Sequence, residues 1–87
     1  MYQRTRKKNQ RKAAILGVLA RSQGPLSYAQ VAGIAEIYPI RQVARDLQRY
    51  AGWGYVRRWK AAGKYRYRIT RRGLERLAYF NRQSQKP

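Results

Sequence analysis

One segment, residues 38–51, carries guanidinium and carboxamide side chains at spacings that gather them on one face of a helix. Guanidinium groups pair bidentately with guanine edges, and carboxamides pair in the same way with adenine edges, in the major groove of DNA. The polar face consists of Arg41, Gln42, Arg45, Gln48 and Arg49. We predict that all of these except Gln48 contact the major groove, with Arg41 and Gln42 in the deeply entering first turn. The alternative is that the same residues form the solvated face of an ordinary amphipathic helix.

The opposite face of this segment is apolar and should pack against a core. Its residues recur at i, i+3, i+4, i+7 and i+11, which is the repeat of a helix buried on one side. They are Ile40, Val43, Ala44, Leu47 and Ala51. Pro39 is favoured at the first helical position, and Gly52 and Gly54 are favoured where a helix ends. We therefore predict one helix between these signals.

The composition limits the class of partner. The 87 residues include 21 Lys and Arg against three acids, for a net charge of +18, and 44% of them are hydrophobic, which is enough for one folded domain. Nucleic acid is the favoured counter-charge. An anionic membrane is the lesser alternative, because the basic residues are spread along the whole chain. The longest apolar run, Ala13–Ala20, is too short to span a bilayer, although a secretory signal there stays a minor alternative.

Residues that could catalyse a reaction are scarce. The chain has no cysteine and no histidine, so disulfides and Cys/His zinc sites are excluded, and we predict no metal and no cofactor. The three acids, Glu36, Asp46 and Glu75, fall on three different predicted helices. A tyrosine nucleophile among arginines stays open, but nothing distinguishes one of the eight tyrosines. We predict that the protein is not an enzyme.

Two further helices are predicted before the central one. The first spans residues 11–21 around Ile15, Leu16 and Leu19. Ser27 and Gln30 fit a capping box that begins a second helix, which ends near Ile37. Its predicted inner residues are Val31, Ile34 and Ala35. Two short helices joined by a tight turn at residues 38–39 form a helix-turn-helix.

The rest of the chain predicts a hairpin and a last helix. Residues 55–60 and 65–70 are rich in aromatic and β-branched residues, and residues 61–64 form the loop between them. Val56 and Ile69 should lie over the core, and Trp59 should form a cation–π contact with Arg66 across the pair. The register of the two strands stays open, because a slip of one residue exchanges the faces. The hairpin cations, predicted to bind phosphates or a minor groove, are Arg57, Arg58, Lys60, Lys64, Arg66 and Arg68. Thr70 should cap a helix over residues 71–83 whose inner residues are Leu74, Leu77 and Ala78.

The chain ends are predicted to be unstructured. Residues 1–10 form a flexible basic arm, residues 11–83 the domain, and residues 84–87 a frayed tail. The arm should follow the DNA backbone or enter a minor groove. The predicted arm and backbone contacts are Arg4, Arg6, Lys7, Lys8, Arg11, Lys12, Tyr28 and Gln30. Tyr65 and Tyr67 are predicted to lie in the core, with contact to the nucleic acid as the alternative. Trp53 and Trp59 are predicted to pack within the fold, with stacking on bases as the alternative.

This order of elements resembles a winged helix-turn-helix domain of the PadR and MarR regulators over residues 11–80. The resemblance is carried by Ile69-Thr-Arg-Arg-Gly73 running into Leu74-Glu-Arg-Leu77, by Gln30-Val-Ala32, and by Leu47 followed by Gly52, Gly54 and Tyr55-Val56. It implies an α+β, mostly α fold of three helices, a two-stranded β-hairpin wing and a C-terminal helix. It also implies DNA binding through the third helix and the wing. The charge is more one-sided than in those regulators, and no small-molecule effector site is apparent.

The predicted function is non-enzymatic binding of double-stranded DNA, largely through phosphates. A coating or architectural role in a nucleoid or viral nucleoprotein is favoured, and the protein would then be intracellular or inside a virion. The alternatives are a small sequence-specific transcription regulator and a structured-RNA or ribosomal protein. A homodimer and a polymer along DNA are both open, with Tyr79 and Phe80 as candidate contacts.

Overall fold

The computed structural model describes the backbone of residues 4–84 and the side chains of residues 10–82. The chain forms an α+β fold, mostly helical, of the small winged-helix type predicted from the sequence. Its elements in order are α1 (Arg4–Arg21), α2 (Tyr28–Ala35), α3 (Ile40–Gly52), β1 (Val56–Ala61), β2 (Lys64–Ile69) and α4 (Arg71–Ser84). None of the helices in the described part of the chain is long and apolar enough to cross a membrane.

Helix α1 begins at Arg4, seven residues before the predicted start at Arg11. The prediction of a disordered arm is therefore wrong from Arg4 onward. Residues 4–16 contain no glycine or proline, and they are rich in Arg, Lys, Gln and Ala, which favour helices. The groove contacts predicted for Arg4, Arg6, Lys7 and Lys8 fall on side chains outside the described residues. Residues 1–3 of the arm and 85–87 of the tail are also outside them.

The core lies where α1, α2 and α3 meet and are covered by the hairpin. Its buried residues are Ile15, Leu16, Val18 and Leu19 of α1, Val31 and Ala32 of α2, Val43, Leu47 and Tyr50 of α3, and Val56 and Tyr67 of the hairpin. The capping box at Ser27 and Gln30 is present as predicted. The α2 prediction is wrong at Ile34, which is 60% exposed. The buried residues of this eight-residue helix are Val31 and Ala32.

The buried face of α3 is rotated from the predicted one. It runs through Val43, Asp46, Leu47 and Tyr50, whereas Ile40 is 39% exposed. The hydrophobic pattern does not include Asp46 in this face, but the carboxylate has partners within the fold that allow its burial.

The inner face of α4 is also different from the prediction. Leu74 is 46% exposed and Ala78 is exposed, while Gly73 and Phe80 are buried and Leu77 packs against the core. The close approach of Gly73 to the hairpin sets this rotation. A Cβ at position 73 would overlap the carbonyl oxygen of Tyr55 and lie 2.7 Å from Cγ1 of Ile69.

The hairpin joins α3 to α4. Val56 and Ile69 lie over the core as predicted. The register, which the sequence does not fix, pairs Val56 with Ile69 and Trp59 with Arg66, across a turn in which Ala62 and Gly63 both have positive φ. The Arg57 guanidinium, and not that of Arg66 as predicted, lies over the Trp59 ring, 6.0 Å from the ring centroid. Two backbone hydrogen bonds also pair Leu26, before α2, with Tyr67 on β2. The hairpin is thereby tied to the helix-turn-helix.

Thr70 caps α4 as predicted. Its Oγ1 accepts a hydrogen bond from the Gly73 N–H at 3.1 Å and donates to the Gly54 carbonyl at 2.6 Å. One side chain thus links the start of α4 to the turn that leaves α3, where Gly54 has a φ of 85°.

Candidate nucleic-acid interface

The solvent-facing side of α3 is cationic. Arg41, Arg45 and Arg49 are exposed there, together with Gln48. We call these four residues the α3 surface. Arg41, Arg45 and Arg49, three of the four predicted major-groove residues, therefore share one accessible face. Gln48 lies on the same face, although it is not among the predicted contacts.

Asp46, the one acid on α3, points away from this surface. It is 1% exposed. Arg11 Nε donates to its Oδ2 at 2.6 Å, and Gln42 Nε2 donates to its Oδ1 at 3.2 Å. A buried carboxylate would be costly without such partners. As a result, the only negative charge of α3 is neutralised internally, and the α3 surface contains only cationic and neutral groups.

Two predicted contact residues are thus engaged inside the fold. The Arg11 side chain, predicted to contact the DNA backbone, is 26% exposed and connects α1 to α3 through Asp46. Gln42, predicted for the major groove, is half-buried and uses its amide on the same carboxylate. The missed signal was Asp46 itself, because it lies three residues after Val43 and one before Leu47, within the buried repeat.

Lys12 is directed toward aromatic rings. Its Nζ lies 5.0 Å from the Trp53 ring centroid and 5.6 Å from that of Phe80. Burial and the nearby cations Arg76 and Arg49 lower the pKa of the Lys12 amine, and Asp46 opposes them. The structure therefore places Lys12 with α4 and the end of α3, not in an extended arm.

The wing has cations on both of its faces. Five of the predicted wing residues are exposed, and Arg66 is half-buried. The alternation along the strands puts Arg58 and Lys60 on the face of Tyr65, with the Arg58 guanidinium 4.4 Å and the Lys60 amine 5.6 Å from the Tyr65 ring centroid. Tyr65 is 40% exposed, so the core prediction is wrong for this residue. Exposed cations therefore lie on both faces of the wing.

Tyr67 and the two tryptophans have different environments. Tyr67 is buried as predicted, and burial raises the pKa of its hydroxyl while a hydrogen bond from Arg58 opposes the rise. Trp59 is half-buried, whereas Trp53 is 45% exposed although its ring stacks on Tyr50 at 6.0 Å. The predicted packing of Trp53 is therefore only partial.

The start of α2 meets the wing. Gln30 Oε1 accepts from the Ser27 N–H at 2.9 Å and from an Arg66 guanidinium nitrogen at 3.4 Å. Tyr28, one residue into the helix, is 39% exposed. Two of the predicted backbone-contact residues and one wing cation are therefore brought together at one end of α2.

Comparison with known proteins gives a likeness of fold. No family model matches the chain, and no curated protein matches it. Among solved structures, human N-acetylserotonin methyltransferase in complex with SAM is similar, with 23% identity and a TM-score of 0.64. The match covers 69% of this chain but 17% of the methyltransferase chain. At this identity the likeness concerns the fold alone.

Proposed function

We propose that the protein binds double-stranded DNA without catalysing a reaction, with α3 in the major groove and the wing along the phosphates. The observation that carries this proposal is the inward orientation of Asp46, which leaves the α3 surface cationic. Such a helix suits a groove lined by phosphates. The resemblance to PadR and MarR winged-helix domains supports the same docking.

Each basic region would contact a different part of the DNA. Arg41, Arg45 and Arg49 contact base edges or phosphates from α3. The exposed cations of the wing contact phosphates beside the helix. Tyr28 and the start of α2 approach the backbone, where free amide groups of a helix terminus favour anions.

The favoured biological role is coating or shaping DNA. The net charge of +18 allows many phosphate contacts, and Gln42, one of the two carboxamides on the polar face, is engaged by Asp46. Binding through phosphates carries little sequence information. The protein would then associate with DNA in a nucleoid or a virion.

Gln48 favours a second candidate role, a small sequence-specific regulator. Its carboxamide is exposed between Arg45 and Arg49, so this part of α3 keeps both of the chemical groups that distinguish adenine from guanine.

A salt-resolved binding experiment tests both roles. The affinity of the protein for random duplexes, for fragments of its native genome and for duplex RNA would be measured across a salt series. A coating protein neutralising about 6–10 phosphates should lose about 10³–10⁵-fold in affinity between about 50 and 200 mM salt, equally for every DNA sequence. A preference above about 10³-fold for one native site would favour the regulator. Binding to RNA as tightly as to DNA, or no duplex binding at low salt, would overturn the proposal.

A further inference from the structure

A basic groove separate from the α3 surface lies between α1, the end of α3 and α4. Its volume is about 550 Å³, and its lining residues are Lys12, Gly52, Trp53, Tyr55, Arg72 and Arg76. We call it the α4 groove. None of these residues belongs to the α3 surface or to the wing, so the groove has no part in the docking proposed above.

The α4 groove gathers three cations and no carboxylate. The Arg76 guanidinium lies 4.8 Å from the Phe80 ring centroid and 4.9 Å from that of Tyr79. The Lys12 amine approaches Phe80 from α1. Arg72 extends across Gly54, where its Cδ would be 3.5 Å from an added Cβ. Three positive charges around one concave surface repel each other, and an anion bound between them offsets this repulsion.

Within the described part of the chain, no cation of the groove forms an ion pair with an acidic side chain. Among the residues that the structure describes, ion pairs join Arg11 to Asp46 and Arg71 to Glu75. Arg76 Nε is buried and has no acceptor within that part of the chain. Part of the hydrogen-bonding capacity of Arg76 is therefore unused among the described residues.

We infer that the α4 groove binds a phosphate group of the nucleic acid, outside the contact made by the α3 surface. Guanidinium groups suit phosphate because their N–H groups match its oxygens in pairs. Arg49 connects the two regions. It belongs to the α3 surface, and its charge is close enough to the groove to help lower the pKa of the Lys12 amine. This inference rests on the proposed function, and it extends the phosphate path from the end of α3 toward α4.

Trp53 provides a direct signal for the test. The chain has two tryptophans, so Trp59→Phe leaves Trp53 as the only indole. The Lys12 amine lies over the Trp53 ring, and a phosphate that draws the amine away changes the surroundings of the indole. Duplex DNA should therefore change the Trp53 emission of this variant.

The decisive variant is Arg72→Gln in the Trp59→Phe background. It should remove most of the Trp53 emission change and lower the salt slope of duplex binding by about one. The matched control is Arg71→Gln, since the Arg71 side chain is 94% exposed and pairs with Glu75 outside the groove. This control should keep the emission change and the slope. Arg76→Gln should act like Arg72→Gln, and thermal unfolding of each variant verifies that it folds.

Failure of this inference is distinguishable from failure of the proposed function. If duplex DNA binds but Arg72→Gln and Arg71→Gln give the same slope and the same Trp53 emission change, the inference is overturned and the proposed function stands. If duplex DNA does not bind but inorganic phosphate changes the Trp53 emission in an Arg72-dependent way, the proposed function and the nucleic-acid assignment are both overturned. The groove would then be a site for free phosphate.

Discussion

The two faces of α3 use charge in opposite ways. On the inner face, Asp46 is 1% exposed and is neutralised by Arg11 from α1. On the outer face, Arg41, Arg45 and Arg49 are exposed and have no acid beside them on the helix. The inner carboxylate is paired within the fold and joins α1 to α3. The outer guanidinium groups are exposed and accessible to an anionic partner. Net charge alone does not distinguish these roles, but burial does.

The largest effect should come from breaking the inner pair. Arg11→Met leaves the buried Asp46 carboxylate with only the Gln42 amide, and we expect a loss of about 3–5 kcal/mol in the free energy of unfolding. Urea unfolding measures this loss. Arg71→Met is the control, because it breaks an exposed pair at 3.7 Å and should cost about 0–1 kcal/mol. Equal losses in the two variants would show that burial does not set the value of the Arg11–Asp46 pair.

The next effect concerns the junction between α4 and the hairpin. Gly73→Ala forces a methyl group against the Tyr55 carbonyl, and we expect a loss of about 1–3 kcal/mol in the free energy of unfolding. Gly52→Ala is the control, because a Cβ there meets nothing within 4 Å and alanine favours a helix by up to about 1 kcal/mol. Thermal unfolding compares them. A Gly73→Ala variant as stable as the parent would mean that α4 moves away from the hairpin without cost.

The outer face should affect binding and not stability. Arg41→Gln with Arg45→Gln removes two exposed cations, so we expect the salt slope of duplex binding to fall by about two. The free energy of unfolding should change by no more than about 0.5 kcal/mol. Fluorescence anisotropy of a labelled duplex measures the slope. If the slope is unchanged, α3 is not the helix that meets the DNA.

The smallest effect is a pH dependence of stability that comes from Tyr50 on the inner face of α3. Burial and then the Asp46 charge raise the pKa of the Tyr50 hydroxyl above its usual 10.0, with Arg11 and Arg49 opposing the rise. Above pH 10.0 the unfolded chain loses this proton while folded Tyr50 keeps it, so stability is unaffected below that pH and falls as pH rises. The slope per group is at most about 1.4 kcal/mol per pH unit.

Tyr50→Phe should make this alkaline decline shallower. Tyr67, whose pKa is also raised by burial, keeps contributing to the decline in the variant. Lys12 contributes with the opposite sign, because its pKa is lowered from 10.5 and the unfolded chain holds that proton longer. Urea unfolding of parent and variant at about pH 9 and about pH 11 makes the comparison. Parallel curves would exclude a role for Tyr50.

The elements of this fold follow from local sequence signals. The Ser27–Gln30 capping box and the Thr70 cap each depend on residues close in sequence, and both are predicted. Simple alternation also predicts that Val56 and Ile69 lie over the core, although it does not fix the register of the strands. The burial of Asp46 was not, because its partner Arg11 is 35 residues away and no local rule joins them. Missing that pair left Gln42 and Arg11 among the predicted DNA contacts.

The rotation of α4 could not be predicted for a similar reason. Leu74 and Ala78 belong to an apolar stripe in the sequence, yet the approach of Gly73 to the Tyr55 carbonyl directs these two residues outward. The same limit applies to the α4 groove, which joins Lys12 of α1 to Arg72 and Arg76 of α4. Contacts between elements that are distant in sequence, and not local helix or strand propensities, determine which cations lie close together.

The short pairing of Leu26 with Tyr67 has a consequence for how copies of this protein can assemble. It occupies the free hydrogen-bonding groups of Tyr67 on the outer edge of β2. A neighbouring copy that extended the sheet would have to add its strand at β1, where Arg57, Arg58 and Lys60 of two such strands would repel each other. Filaments built by strand addition are therefore disfavoured in both directions, and crowding many copies on one polyanion need not cause aggregation.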